Sequence, residues 1–269
     1  MGCAISGLAL GWLWSPQPTQ LTFLSVGQGD CGVFQTAGVS VVIDTGPKTP
    51  VFDAGKKIVL PNLEKLGVQS VDLILLSHPD EDHVGGTGAI LKAFPQARLV
   101  MSAQFKEHSD MARRIKEWGL KNEDVLWLGP QAHVRVGSFR LEIRDPVLEP
   151  GANDNDGSMF VHVTRGAASA VLSGDAGALT ERSMEPLADW SSQVMKVGHH
   201  GSRTSTDPSW LSEVRPRYAV ISCGRDNVYG HPSPRIVQRL EESGVKVFRT
   251  DQQGSITFRF DEKRGFLPE

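Results

Sequence analysis

Apolar positions along this chain recur in two rhythms, one of short runs and one of helical spacing. The runs LTFLSV (21–26), CGVFQT (31–36) and VSVVID (39–44) are split by Gly27-Gln28-Gly29-Asp30 and Ala37-Gly38. That pattern predicts three strands joined by tight turns. The unbroken run VDLILLS (71–77) predicts a fully buried strand. GTGAILKAF (86–94) then reads as a helix, ARLVMS (97–102) as a strand, and HSDMARRIKEWG (108–119) as a helix closed by Gly119.

The second half repeats the order. SMFVHVTR (158–165) and SAVLSG (169–174) read as strands and ALTERSMEPLADW (178–190) as a helix. SQVMKVG, RYAVISC, VKVFRT and SITFRF follow as strands, with DPSWLSEV and PSPRIVQRLEESG as the helices between them. Hairpin strands followed by strand–helix units, twice over, predict an α/β fold of two mixed sheets face to face with helices outside. No internal repeat or linker of disordered composition interrupts residues 21–269, which we read as one domain. Residues 1–20 are set apart as an apolar, Pro-rich tail. Its apolar stretch, Ala4 to Trp14, is too short to span a bilayer. It lacks the basic start of a signal peptide, matches the myristoylation pattern at MGCAIS, and carries Trp12 and Trp14, which suit a membrane interface. We read it as a frayed tail or the stub of an upstream membrane segment.

Composition changes this picture little. A net charge of −3 gives no global electrostatic case for nucleic acid. The stretch from Lys196 to Arg249 is nevertheless basic, with nine Lys or Arg against five Asp or Glu. Three scattered cysteines exclude a disulfide framework and a zinc ribbon.

The candidate chemistry lies at the end of the buried strand, in His78-Pro79-Asp80-Glu81-Asp82-His83-Val84-Gly85-Gly86. Carboxylates and imidazoles at this density repel one another when buried unless a cation neutralises them. A solvated acidic loop would need only Asp82 as a helix cap, and the two flanking histidines favour a metal site.

His78-x-Asp80-x-Asp82-His83 resembles the H-x-H-x-D-H motif of the metallo-β-lactamase fold, with Asp80 in place of the second histidine. FLSVGQGD (23–30), VVIDTG (41–46), LSGDAG (172–177), KVGHHGS (196–202), YGHPS (229–233) and RTDQQGSI (249–256) together resemble the β-lactamase-like domain of the ComEC-type competence DNA-uptake membrane proteins. The resemblance implies an αββα sandwich with a dinuclear metal site on its open edge, and an extracytoplasmic, membrane-associated nuclease that degrades the strand not taken up. It implies a monomer acting on single- or double-stranded DNA beside a membrane channel in the same or a companion protein. It also implies that His78 and Asp80 hold one metal, Asp82 and His83 the other, and that Asp175 bridges them. One or more of His199, His200 and His231 would complete the second site, with the roles of metal ligand and proton donor open among them.

The chain departs from the superfamily where many relatives supply a further histidine between the motif loop and the bridging aspartate. His162 falls mid-strand and reads as structural. His133 would begin a hairpin, while Asn155 and Ser158 become candidates for substrate, water or metal contact. The first metal is then incompletely liganded. Three predicted acid ligands and no cysteine favour Mn²⁺ over Zn²⁺, with Mg²⁺ also admissible. Asp44 is expected to orient a ligand histidine, and Asp30 to do the same or simply to close a turn.

Two divalent metals suit in-line displacement at a phosphodiester, and also lactones, thioesters and β-lactams. Lys196, Ser202 and Arg203, with Arg225, Ser233 and Arg235, are candidates to contact a phosphate backbone, and Tyr229 or Trp210 to stack a base. The expected function is a metal-dependent DNA nuclease, with Asp82, His200, His231 and Lys196 as the catalytic set. The alternatives are a lactonase- or thioesterase-type hydrolase of the same fold and a DNA-binding module with a degenerate metal centre.

Overall fold

The computed structural model describes residues 18–146, 152–184 and 189–269. The tail expected over residues 1–20 lies almost wholly outside them. Fifteen strands form two mixed sheets among the described residues. The first sheet takes β1 (Gln20–Phe23), β2 (Gly32–Thr36), β3 (Val39–Ile43), β4 (Leu73–Leu76), β5 (Arg98–Ser102) and β6 (Leu126–Leu128), and is completed by β14 (Ile256–Asp261) and β15 (Gly265–Pro268). The second takes β7 (Gln131–Val136), β8 (Phe139–Arg144), β9 (Phe160–Arg165), β10 (Ala168–Leu172), β11 (Val194–Lys196), β12 (Tyr218–Ile221) and β13 (Lys246–Arg249). In each sheet antiparallel hairpins give way to parallel strands, at β3–β4 in the first and β10–β11 in the second.

Side-chain alternation builds the layers. In β4, Leu75 faces the core between the sheets, while Ile74 and Leu76 face the helices outside. In β12, Val220 joins the inter-sheet core, and Ala219 and Ile221 pack under the second helical layer. A strand buried on both faces reads as a continuous apolar run, which is why these two were predictable. The layers are therefore helix, sheet, sheet, helix: the αββα sandwich of the metallo-β-lactamase fold.

Some elements differ from expectation. A helical segment over 55–65 was not expected; its first part, Gly55–Val59, is π-helical, with Leu60 N bonding back to Gly55 O, and it runs on into Leu60–Lys65, which contains Pro61. The helix expected over 178–190 runs Ala178–Met184, and residues 185–188 lie outside the described set. The strands β6, β15 and most of β7–β8 were also missed. The β7–β8 pair carries charged side chains on its outer face.

Among the described residues, no helix is long and apolar enough to cross a membrane.

Candidate metal centre

The predicted metal-site groups lie in loops that leave the carboxyl ends of strands: Asp44 after β3, His78–His83 after β4, Asp175 after β10, His199 and His200 after β11, and His231 in the longer loop after β12. Ligand sites of open α/β sheets form at these ends. The charged loop is held down by backbone bonds from Asp30 N to Asp82 O (3.2 Å) and Thr45 N to His83 O (2.7 Å). Gly29 allows this approach: its φ is +142°, and a Cβ there would meet the Asp82 carbonyl oxygen at 2.3 Å. Three non-glycine residues of the site hold positive φ, Asp44 (57°), His199 (47°) and His200 (53°). Such strain persists where the surrounding structure over-determines it, and it clusters at functional sites.

Three imidazoles are oriented in the same way. His83 Nδ1 donates to Asp44 Oδ2 at 2.9 Å, and His200 Nδ1 donates to the Ser222 carbonyl at 2.9 Å. Ser77 Oγ donates to Asp44 Oδ2 at 2.8 Å and accepts from His78 Nδ1 at 3.0 Å. With Nδ1 tied, each ring turns Nε2 inward, the arrangement that outer hydrogen-bond partners impose on metal-bound histidines. His83 Nε2 lies 3.2 Å from Asp175 Oδ1, and His200 Nε2 lies 3.2 Å from both Asp175 Oδ2 and Asp82 Oδ2. His78 Nε2 faces Asp80 Oδ2 at 3.6 Å.

These residues fit divalent cations on two further counts. The Nε2 atoms of His78 and His83 are buried without a hydrogen-bond partner among the described residues, which a buried polar atom rarely is. Five carboxylates gather here: Asp30 and Asp175 meet the one ammonium, that of Lys196, while Asp44, Asp80 and Asp82 meet imidazoles. This concentration of carboxylates is of the kind that divalent cations neutralise. Donor atoms of Asp82, His83, Asp175 and His200 all lie within 4.8 Å of one another.

The electrostatics report the same concentration. Burial alone would depress the imidazolium forms, but Asp175 and Asp44 outweigh it and hold His83 well above the ordinary histidine range. At His200 burial is likewise outweighed, and Asp175 and Asp30 push it up to about 10. Asp82, despite burial, is held down at about 2 by its bond to His200 and the charge of His83. His199 and His231 move the other way, lowered by burial and by the neighbouring cationic His200.

His199 and His231 stand at the mouth. His199 Nε2 is 3.9 Å from Asp175 Oδ2, and the His231 ring centre is 5.8 Å from that of His199 and 6.3 Å from that of His200. Gln28, which sequence reasoning missed, fixes His231: its Oε1 accepts from Gly224 N (3.1 Å), so its Nε2 is the group donating to His231 Nδ1 (3.4 Å). His231 is therefore neutral with its hydrogen on Nε2 and none on Nδ1, whereas each of the three inner rings carries a hydrogen on Nδ1.

Three expected substrate contacts are corrected. Lys196 is 2% exposed, paired with Asp30, 3.5 Å from Asp175, and donating to the Gly174 carbonyl at 2.7 Å. It is the internal counter-charge of the site, out of reach of a DNA backbone. Ser158 is fully buried and its Oγ accepts from Asp175 N at 3.0 Å, so it shapes the turn that presents Asp175. Ser202 is buried and bonded to Thr204 Oγ1 at 3.0 Å. Asn155, in contrast, lines a cleft of about 380 Å³ with Asp175 and His199, and its Oδ1 is without a partner among the described residues. Arg203, Arg225 and Arg235 are exposed. His162 is buried against Trp190 and His133 lies on the exposed face of β7, both away from the centre. Trp210 is buried against Phe160 and Trp190 and cannot stack a base.

A family model described as the metallo-beta-lactamase superfamily matches residues 24–225. The chain is 30% identical over 265 residues to the ComE operon protein 3 of Bacillus subtilis, covering 91% of this chain and 34% of that protein. It is 31% identical over 242 residues to the competence protein ComA of Neisseria gonorrhoeae, covering 88% and 32%. The chain thus spans about a third of the length of these relatives. Among solved structures, the metallo-beta-lactamase fold protein YhfI of Bacillus subtilis superposes with a TM-score of 0.59 at 12% identity, over 90% of this chain and 99% of that one.

Proposed function

We propose that this chain, which belongs to the metallo-beta-lactamase superfamily and has the fold of its metal-dependent hydrolases, cleaves the phosphodiester bonds of DNA during DNA uptake. The observation that carries this reading is the inward set of His78, His83 and His200 Nε2 atoms among Asp80, Asp82 and Asp175. It stands in a chain whose relatives include a protein named for competence. His78 and Asp80 would hold one ion and Asp82, His83 and His200 the other, with Asp175 between them. Oxygen donors match imidazoles in number, which favours Mn²⁺ or Mg²⁺ over Zn²⁺. Bound there, the ions supply Lewis-acid polarisation of the scissile phosphoryl group.

The chain's own residues do the rest. Asp44 and Ser77 hold the His83 and His78 rings in their working tautomer. Lys196 pairs with Asp30 and helps keep Asp175 ionised in a buried place. His231, neutral and with its hydrogen on Nε2, donates a hydrogen bond to a phosphoryl oxygen of the substrate, a role outside the metal-ligand and proton-donor alternatives left open for it. Asn155 lines the cleft beside Asp175 that receives the substrate, and Arg203 holds a flanking phosphate. The setting we infer is the outer face of the cytoplasmic membrane, beside the channel.

The test is incubation of end-labelled single- and double-stranded DNA with Mn²⁺, Mg²⁺ or Zn²⁺, beside a lactone and a thioester. Metal-dependent cleavage of DNA alone is expected. Hydrolysis of the thioester or lactone without DNA cleavage would replace this reading with a small-molecule hydrolase.

A further inference from the structure

The turn that carries His231 exposes two large apolar side chains, Val228 at 94% and Tyr229 at 68%. Elsewhere in the described residues only Val51, Leu126 and Leu179 are comparable. The turn is rigid. Asn227 Nδ2 donates to the carbonyls of Gly224 (2.9 Å) and His231 (2.6 Å), its Oδ1 accepts from His231 N (2.9 Å), and Gln28 clamps Gly224 from the other side. The Tyr229 ring lies nearly parallel to that of His231, centres 5.8 Å apart and planes 24° apart. It is thus two ring-to-ring steps from His200. Its hydroxyl makes no hydrogen bond among the described residues, and the exposed Arg203, Arg225 and Arg235 pair with no carboxylate there.

From this geometry we infer that Tyr229 is a platform on which one base of a single-stranded substrate stacks, making it a determinant of preference for unpaired DNA. The inference rests on the nuclease reading and specifies its substrate. An exposed aromatic face on a pre-ordered turn binds a base with little ordering cost, and every base offers such a face. In a duplex those faces are already stacked, so a base must leave the helix before it can use the platform. The exposed arginines, of which Arg225 donates, among the described residues, only to the Asp251 carbonyl (3.4 Å), supply phosphate contacts that carry no sequence preference.

The experiment is steady-state kinetics of the whole chain on one oligonucleotide, presented single-stranded and as a blunt duplex, for wild type, Tyr229→Ala and Tyr229→Phe. From the usual strength of base–aromatic stacking, Tyr229→Ala is expected to raise KM for the single strand about tenfold with kcat retained. The single-strand to duplex ratio of kcat/KM falls by the same factor, and Tyr229→Phe restores both. A single abasic residue stepped along the strand should reproduce that rise in wild type at one position, to which Tyr229→Ala is indifferent. If Tyr229→Ala lowers kcat equally on both substrates, the ring acts through His231 and the inference is overturned. Equal sensitivity of wild type and variant to every abasic position overturns it too. Failure of the wild type to cleave any DNA would instead overturn the nuclease reading.

Discussion

Replacing Lys196 by Met removes a charge while keeping most of the volume, and it separates the two roles this side chain has been given. The ammonium is buried between Asp30 and Asp175. Without it, one buried carboxylate must be protonated for the metal-free protein to fold. Starting from an ordinary carboxyl pKa near ~4, this costs about 1.4 kcal/mol per pH unit, or about 4 kcal/mol at pH 7. That agrees with the roughly 3–5 kcal/mol found when one partner of a buried pair is removed. For a domain of this size the midpoint of thermal unfolding should fall by roughly 8–16 °C. The variant's carboxyl has a raised pKa in the folded state, so the deficit shrinks as the pH falls and is only about 1.4 kcal/mol at pH 5. Calorimetry of chelator-treated wild type and variant at pH 7 and pH 5 measures it. A salt series of DNA binding beside it should keep its slope. An unchanged unfolding midpoint, with a slope reduced by about one, would refute the buried counter-charge and make Lys196 a phosphate contact.

Gln28→Glu should reverse the His231 tautomer, because a carboxylate accepts from Nδ1; kcat is expected to drop at least tenfold above neutral pH, with metal content retained, and an unaltered pH–rate profile would contradict the assignment. Asp80→His exchanges an oxygen donor for an imidazole and should move metal preference towards Zn²⁺, as read from activity with each ion. Glu181, buried and accepting from Thr206 N and Asp207 N, is raised by burial from 4.5 to about 7. It therefore contributes about 3 kcal/mol of stability that is complete below pH 4.5 and lost as the pH climbs through 7. Denaturation of wild type and Glu181→Gln across that window should show wild type losing ground to the variant, and parallel profiles would exclude it.

Much of the site could be read from the chain because its chemistry is local and its punctuation strong. His78–His83 follows an unbroken apolar run, and the SGD, HHGS and GHPS loops follow others, so each lands at a strand's carboxyl end without knowledge of the tertiary structure. Asp44 was placed behind a histidine for the same reason, and it touches His83. What sequence could not convey is burial. Lys196 occupies the last position of a three-residue strand, and only the facing loops of Asp30 and Asp175 turn its ammonium inward. Ser158 and Ser202 carry hydroxyls fit for a substrate, but neighbouring backbone and side-chain groups already use them. Gln28 acts on a ring 203 positions away in the chain; the Gly-Gln-Gly turn was its only signal. A hairpin was expected to begin at His133, but the extent of β7 and β8 was not read because their outer face is charged, which masks the strand rhythm.

The central claim is that bound divalent ions in this cluster drive DNA cleavage. It is tested most directly by stripping the protein with a chelator and titrating Mn²⁺ back while following cleavage of end-labelled single-stranded DNA, with Asp175→Asn alongside. Cleavage should vanish on stripping, return as metal is added up to two ions per chain, and never appear in folded Asp175→Asn. Undiminished cleavage by the stripped protein, or by Asp175→Asn, would contradict it.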